Sequence, residues 1–111
     1  MSAPEPTWDD EGCAALDECV LDELELFAED PKGPRTFAAL FIALRPYAIT
    51  YRQKGTAGRM VVYLDDDPES RSALVAALAR LAAAGFVEKD PEKRYAITFE
   101  GRHHLRALHE S

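Results

Sequence analysis

The last third of the chain constrains its fold most, because stop signals divide it into short segments of different periodicity. Three leucines recur at i, i+4 and i+7, which gives a helix one apolar face: Leu74, Leu78 and Leu81. Asp67 and Pro68 supply an N-cap and a first-turn proline for that helix, and Gly85 supplies its C-terminal stop. The pattern therefore predicts a helix between Asp67 and Gly85.

The segment after this helix alternates strand and turn signals. Residues 86–87 and 95–97 are β-prone, and the breaker and charged residues 89–93 lie between them. After Thr98 the apolar residues return to helical spacing through Leu105 and Leu108. The predicted order is thus helix, strand, tight turn, strand, helix.

This order resembles the recognition helix and wing of a winged helix-turn-helix domain, as in MarR- and PadR-type bacterial transcriptional regulators. In those families the recognition helix typically ends in Leu-x-x-x-Gly-(Leu/Phe)-Val-Glu, which matches residues 81–88. The second wing strand runs into (Leu/Ile)-Thr-x-x-Gly-(Arg/Lys), which matches residues 97–102. The resemblance covers residues 67–108 and implies a DNA-binding regulator, although a fold alone does not assign a function.

The upstream segments predict two helices and a hairpin. A first helix should begin at Asp9 or Asp10 and end at Phe27 or Ala28, since acidic residues suit a helix N-terminus. A second helix, residues 37–44, has Thr36 as its cap and is apolar almost all round, so we expect it to be buried. The β-rich runs 48–52 and 60–64 replace the short turn of a plain helix-turn-helix.

We therefore predict an α+β fold, a winged helix with a three-helix core and a β-wing. An extra β-hairpin is inserted before the recognition helix, and a C-terminal helix follows the wing. Residues 1–8 are expected to form a flexible acidic tail, and residues 9–111 a single winged-helix domain.

Charge is strongly segregated along the chain, whose net charge is −7. Residues 1–31 contain eleven acidic and no basic side chains, whereas residues 32–64 contain six basic and no acidic ones. Segregation of this kind indicates either an internal acidic–basic contact or two surfaces with different partners.

Side chains suited to phosphates and base edges fall in three places. We predict contacts with double-stranded DNA from Ser70, Arg71 and Ser72 at the start of the recognition helix, from Arg45, Arg52, Lys54 and Arg59 in the central basic segment, and from Lys93 and Arg94 at the wing. The wing has no local net charge and the recognition helix is mostly alanine outward, so the central segment is the firmer candidate. The alternatives are that the serines only cap the helix and that the central basic residues pair with the acidic first helix.

The first helix carries an apolar stripe at i, i+4, i+8 and i+11: Leu16, Val20, Leu24 and Phe27. We predict that this stripe forms the seam of a homodimer or docks a protein partner, with the acidic outer face in solvent or covering the basic hairpin. The competing function is a winged-helix protein-interaction module, an adaptor or anti-regulator that uses this helix and binds no nucleic acid.

Catalysis, cofactors and metals are not expected. The sequence has no Gly-rich phosphate loop, nucleophile elbow or metalloprotease motif, and no two of His103, His104 and His109 share a helix face. Cys13 and Cys19 are about 9 Å apart along a helix axis, too far for a disulfide, which favours the reducing cytoplasm. No export signal or membrane span is expected.

Overall fold

Four helices and five short strands make up the part of the chain that the computed structural model describes, residues 10–30, 33–52 and 58–110. The helices are α1 Asp10–Ala28, α2 Phe37–Leu44, α3 Pro68–Ala83 and α4 Phe99–Glu110. The strands are β1 Arg35–Thr36, β2 Ile49–Arg52, β3 Arg59–Val62, β4 Val87–Lys89 and β5 Arg94–Ile97. The predicted α+β class is confirmed, and the predicted tail, residues 1–8, lies outside the described residues.

The helix boundaries follow the predicted caps. The Ser70 N–H donates to Asp67 Oδ1 at 2.7 Å at the start of α3, and the Ala39 N–H donates to Thr36 Oγ1 at 3.3 Å at the start of α2. After α3, Gly85 takes a left-handed φ of 82°. This turn lets the Phe86 N–H donate to the Leu81 carbonyl at 2.9 Å, so the helix ends with its last carbonyls satisfied.

A three-stranded antiparallel sheet has the order β1-β5-β4. Val87 pairs with Ile97 in the hairpin β4–β5, and Arg35 pairs with Tyr95 on the other side of β5. The sequence did not predict β1, because a strand of two residues carries no periodicity. Its pairing nevertheless joins the start of α2 to the predicted wing.

The hairpin β2–β3 forms a separate two-stranded sheet between α2 and α3, where an inserted hairpin was predicted. Its side chains alternate, as expected for a sheet with one buried face. Ile49 and Tyr51 are buried, whereas Thr50 and Arg52 point outward. Strand β2 packs against α1, which fixes the buried face of the hairpin.

Helix α1 lies at the centre of the packing and contacts α2, α3, α4, β2 and β5. Leu16, Val20 and Leu24, three of the four predicted seam residues, are 0–1% exposed within the single chain. They therefore belong to the core rather than to a surface that a second copy could contact. Phe27, the fourth, is half-buried against the core, and the Arg35 guanidinium lies 4.5 Å from its ring centroid.

Helix α2 is only partly buried, contrary to the expectation from its apolar sequence. Leu40, Phe41 and Leu44 face the core, but Ile42 is 67% exposed. A helix of eight residues placed at the edge of the core can bury only one side, so the remaining apolar side chains face outward.

The turn after α3 and the start of α4 are joined by a compact junction. The Thr98 hydroxyl donates to the Gly85 carbonyl at 2.6 Å and accepts from the Gly101 N–H at 3.0 Å. The Thr98 N–H donates to the Phe86 carbonyl at 3.0 Å. Gly101 lies so close to Phe86 that a Cβ at this position would be 2.1 Å from the Phe86 carbonyl oxygen.

None of the described helices is both long enough and apolar enough to cross a membrane. Cys13 and Cys19 are both thiols. Burial, with the nearby acids Asp22 and Glu18, raises the pKa of Cys19 to about 11, so this thiol carries little thiolate at neutral pH.

Candidate nucleic-acid interface

The start of α3 contains one buried serine and one exposed serine. Ser70 is buried, and its hydroxyl accepts a hydrogen bond from the Asp65 N–H at 3.0 Å. It therefore holds the loop before α3 in place and does not face outward. Ser72 is exposed, while the neighbouring Arg71 pairs with Asp66.

The outward face of α3 offers few groups that can read bases. Val75, Ala76 and Ala79 are exposed along it, and none of them carries a hydrogen-bonding group. Arg80, near the end, makes a two-pronged contact with Asp17 of α1 at 2.7 and 3.2 Å. The hydrogen bonds to Asp17 raise the pKa of Arg80 above its usual value. Arg71 and Ser72 are thus the exposed polar groups at the start of α3.

The hairpin places two of the predicted basic residues directly opposite each other. Arg52 pairs with Arg59 in the β2–β3 register, and both side chains are exposed. No carboxylate in the described parts of the chain forms an ion pair with either one. Like charges opposite each other on two strands repel, and a bound anion would relieve that repulsion. Lys54, predicted for the same arm, lies outside the described residues.

A pocket of about 370 Å³ brings Arg45 and Arg71 together between α2 and the start of α3. Its apolar wall includes Phe37 and Phe41, whose rings stack with centroids 6.1 Å apart. Asp66 also lines the pocket and neutralises part of the positive charge. Sequence reasoning grouped Arg45 with the hairpin, and the structure shows that it also shares this site with Arg71.

In the β4–β5 turn, the predicted wing, Arg94 and the acidic side chains pair mainly with one another. Arg94 pairs with Asp90 at 3.1 Å and with Glu92 at 2.6 Å. The Asp90 carboxylate also accepts hydrogen bonds from the Glu92 and Arg94 N–H groups, both at 2.9 Å. Lys93, at φ 64°, is exposed, whereas Arg94 is paired, so Lys93 is the more accessible of the two predicted cations of this turn.

Because the carboxylates of Asp67 and Asp90 accept hydrogen bonds, we predict that the free energy of unfolding decreases at low pH. The Ser70 N–H lowers the pKa of Asp67 below 3.8, and the Arg94 N–H lowers that of Asp90. A carboxyl group whose pKa is lower in the folded than in the unfolded chain stabilises the fold at pH values above the unfolded-state pKa. This stabilisation is lost as the pH falls through the folded-state pKa.

Replacing Asp67 with Asn keeps a capping oxygen but removes its titration. Urea unfolding at about pH 5 and about pH 3 should show a smaller acid-induced loss for D67N than for the unsubstituted chain. An identical loss in both proteins would contradict a stabilising role for the ionised cap.

The acidic side chains of α1 do not pair with the hairpin arginines in the described residues. Asp17 pairs with Arg80 of α3, and Glu18 and Asp22 lie next to His109 of α4. A further acidic side chain of α1, Glu23, accepts a hydrogen bond from the hydroxyl of Tyr47, which precedes β2. Burial raises the pKa of Glu23, and this hydrogen bond partly opposes that effect. In the described residues, the acidic side chains of α1 therefore do not neutralise Arg52 and Arg59, as the alternative interpretation expected.

An exposed apolar surface, which sequence reasoning missed, lies beside the basic groups. Ile42 and Tyr63 are 67% and 51% exposed and, with Pro46, line a shallow depression of about 430 Å³. Val61 in β3 is 54% exposed, and Tyr63 is the first residue after the strand. The alternation of the β-rich run 60–64 was the available signal, because it predicts that residues 61 and 63 share a face.

The chain matches no protein-family model, and comparison with curated proteins found no significant match.

Proposed function

We propose that the chain is a cytoplasmic winged-helix regulator that binds duplex DNA chiefly through phosphates, with the inserted hairpin as its main contact. The order of elements supports the winged-helix assignment: α1, β1, α2, then α3 followed by the β4–β5 hairpin. The sheet order β1-β5-β4 also fits, because it places the wing beside the strand that leads into α2. The hairpin β2–β3 is the departure from a plain helix-turn-helix.

The exposed pair Arg52 and Arg59 is the observation that carries the proposal. Two guanidinium groups held opposite each other on a two-stranded sheet suit adjacent phosphates, which each can contact through two N–H donors. Arg45, Arg71 and Lys93 would add contacts from α2, α3 and the wing. The alanine-rich face of α3 would contribute little base reading, so affinity should depend weakly on the DNA sequence.

A salt titration tests this proposal. Fluorescence anisotropy with a generic duplex should show affinity falling steeply between about 50 and 200 mM salt, since cation–phosphate contacts release counterions. The double variant R52A/R59A should bind more weakly, and its slope of log affinity against log salt should be smaller by about two. Several unrelated duplexes should give similar affinities.

The variant R102A/R106A provides the matched control, because it removes the same charge from a different element, α4. It should keep most of the affinity. If both double variants lose affinity equally, general charge and not the hairpin carries the contact. No binding at about 50 mM salt would exclude the DNA proposal.

The exposed surface of Ile42, Val61 and Tyr63 favours a second candidate, a protein-interaction module. Apolar side chains grouped beside a depression are typical of protein contacts, whereas isolated ones are ordinary. This candidate would replace the first if the chain binds no duplex. The predicted homodimer would then need a surface of this kind, since three of the predicted seam residues are buried.

A further inference from the structure

We propose that Glu18, Asp22 and His109 form a binding site for Zn²⁺ or a similar divalent transition metal between α1 and α4. Glu18 and Asp22 are four residues apart and therefore lie on one face of α1. His109 comes from the last turn of α4 and reaches the same face. One ligand atom from each of the three lies within 4.8 Å of the others.

The distances suit a tetrahedral metal. With metal–ligand bonds of about 2.0–2.1 Å, neighbouring ligand atoms in a tetrahedron are about 3.3–3.4 Å apart. His109 Nε2 lies 3.3 Å from Asp22 Oδ1 and 3.7 Å from Glu18 Oε1. Only small side-chain rotations would bring all three atoms to bonding distance.

The ligand types favour a transition metal over Mg²⁺ or Ca²⁺. Imidazole suits zinc and its neighbours, whereas magnesium and calcium prefer oxygen ligands alone. All three side chains are between 41% and 53% exposed, so water can fill the remaining coordination position. The site is thus open to solvent, so an ion can reach it from the surface.

The surrounding charge also favours a cation. Helix α1 has seven acidic residues and no Lys or Arg. This excess of carboxylates gives the face around Glu18 and Asp22 a negative potential, which attracts cations.

Sequence reasoning considered the histidines only in relation to each other and to the cysteines. The carboxylates that complete the cluster are in the first helix and His109 is at the end of the last, so no short motif contains them. Packing of α1 against α4 brings them together. A bound ion would tie the last turn of α4 to the middle of α1.

Isothermal titration of the chain with ZnCl₂ and thermal unfolding with and without it test the site. We expect binding of one ion per chain and a higher unfolding midpoint with the metal. The variants H109A and D22N should bind at least about tenfold more weakly and lose the thermal shift. Circular dichroism should show both variants folded, because the replaced side chains are on the surface.

The matched control is H103A, which removes an exposed histidine from the same helix but outside the cluster. It should bind Zn²⁺ like the unsubstituted chain. Absence of one-to-one binding, or equal binding by H109A and H103A, would overturn the proposed site. The assay contains no nucleic acid, so its outcome is independent of the DNA proposal.

Discussion

Replacing Leu16 with Ala is expected to lower the free energy of unfolding by about 2–5 kcal/mol. Leu16 has no exposed surface and lies in the cluster where α1 contacts the other helices. Truncation removes buried methyl groups and leaves a cavity that the surrounding helices can close only in part. Urea unfolding followed by circular dichroism measures the loss.

Leu26→Ala is the matched control, since Leu26 lies in the same helix but is 59% exposed. Its effect should stay within about 0.5 kcal/mol. The two substitutions also test the placement of the apolar stripe. If Leu16 were in a dimer seam, the unfolding midpoint would rise with protein concentration, and L16A would remove that dependence. A core residue gives a loss that is the same at every concentration.

Replacing Gly101 with Ala should destabilise the chain by about 3 kcal/mol, the upper end for an added methyl group in a packed site. In an exposed helix the same change stabilises by about 1 kcal/mol. The sign of the change in the free energy of unfolding therefore distinguishes a packed site from an exposed one. Here the new Cβ would be 2.1 Å from the Phe86 carbonyl oxygen and 2.8 Å from Ile97 Cγ1. The first of these is backbone, which cannot move aside by changing a rotamer.

Gly58→Ala is the control for this prediction, because a Cβ there would meet no atom within 4 Å and its φ is not left-handed. Its stability should be unchanged or higher by up to about 1 kcal/mol. Urea denaturation of both variants makes the comparison. A stable G101A protein would mean that α4 can shift away from the turn after α3.

Local signals predicted the elements well, and long-range contacts account for what they missed. Asp67, Pro68 and Gly85 gave the limits of α3 because caps and stops act within one turn. The strand β1 exists only through its pairing with β5, so Arg35 and Thr36 carry no strand signal of their own. Ile42 looked like a core residue because periodicity cannot show that the core covers only one side of a short helix.

In the candidate sites too, local patterns predicted some features, and long-range contacts determine the others. Exposure of Arg52 and Arg59 followed from the alternation of the hairpin and was predictable. Pairing of Arg80 with Asp17 joins residues 63 positions apart, and no local pattern indicates it. The cluster of Glu18, Asp22 and His109 depends on the packing of the first helix against the last.

The junction around Thr98 means that the two family-like motifs, residues 81–88 and 97–102, are parts of one joint. Thr98 is hydrogen-bonded to both Gly85 and Gly101, so the base of the β4–β5 hairpin and the first turn of α4 are held together. One hydroxyl group therefore links three elements that are separate in the sequence: the turn after α3, the β4–β5 hairpin and α4. Removing it by substitution at Thr98 would free the Gly85 carbonyl and the Gly101 N–H at the same time.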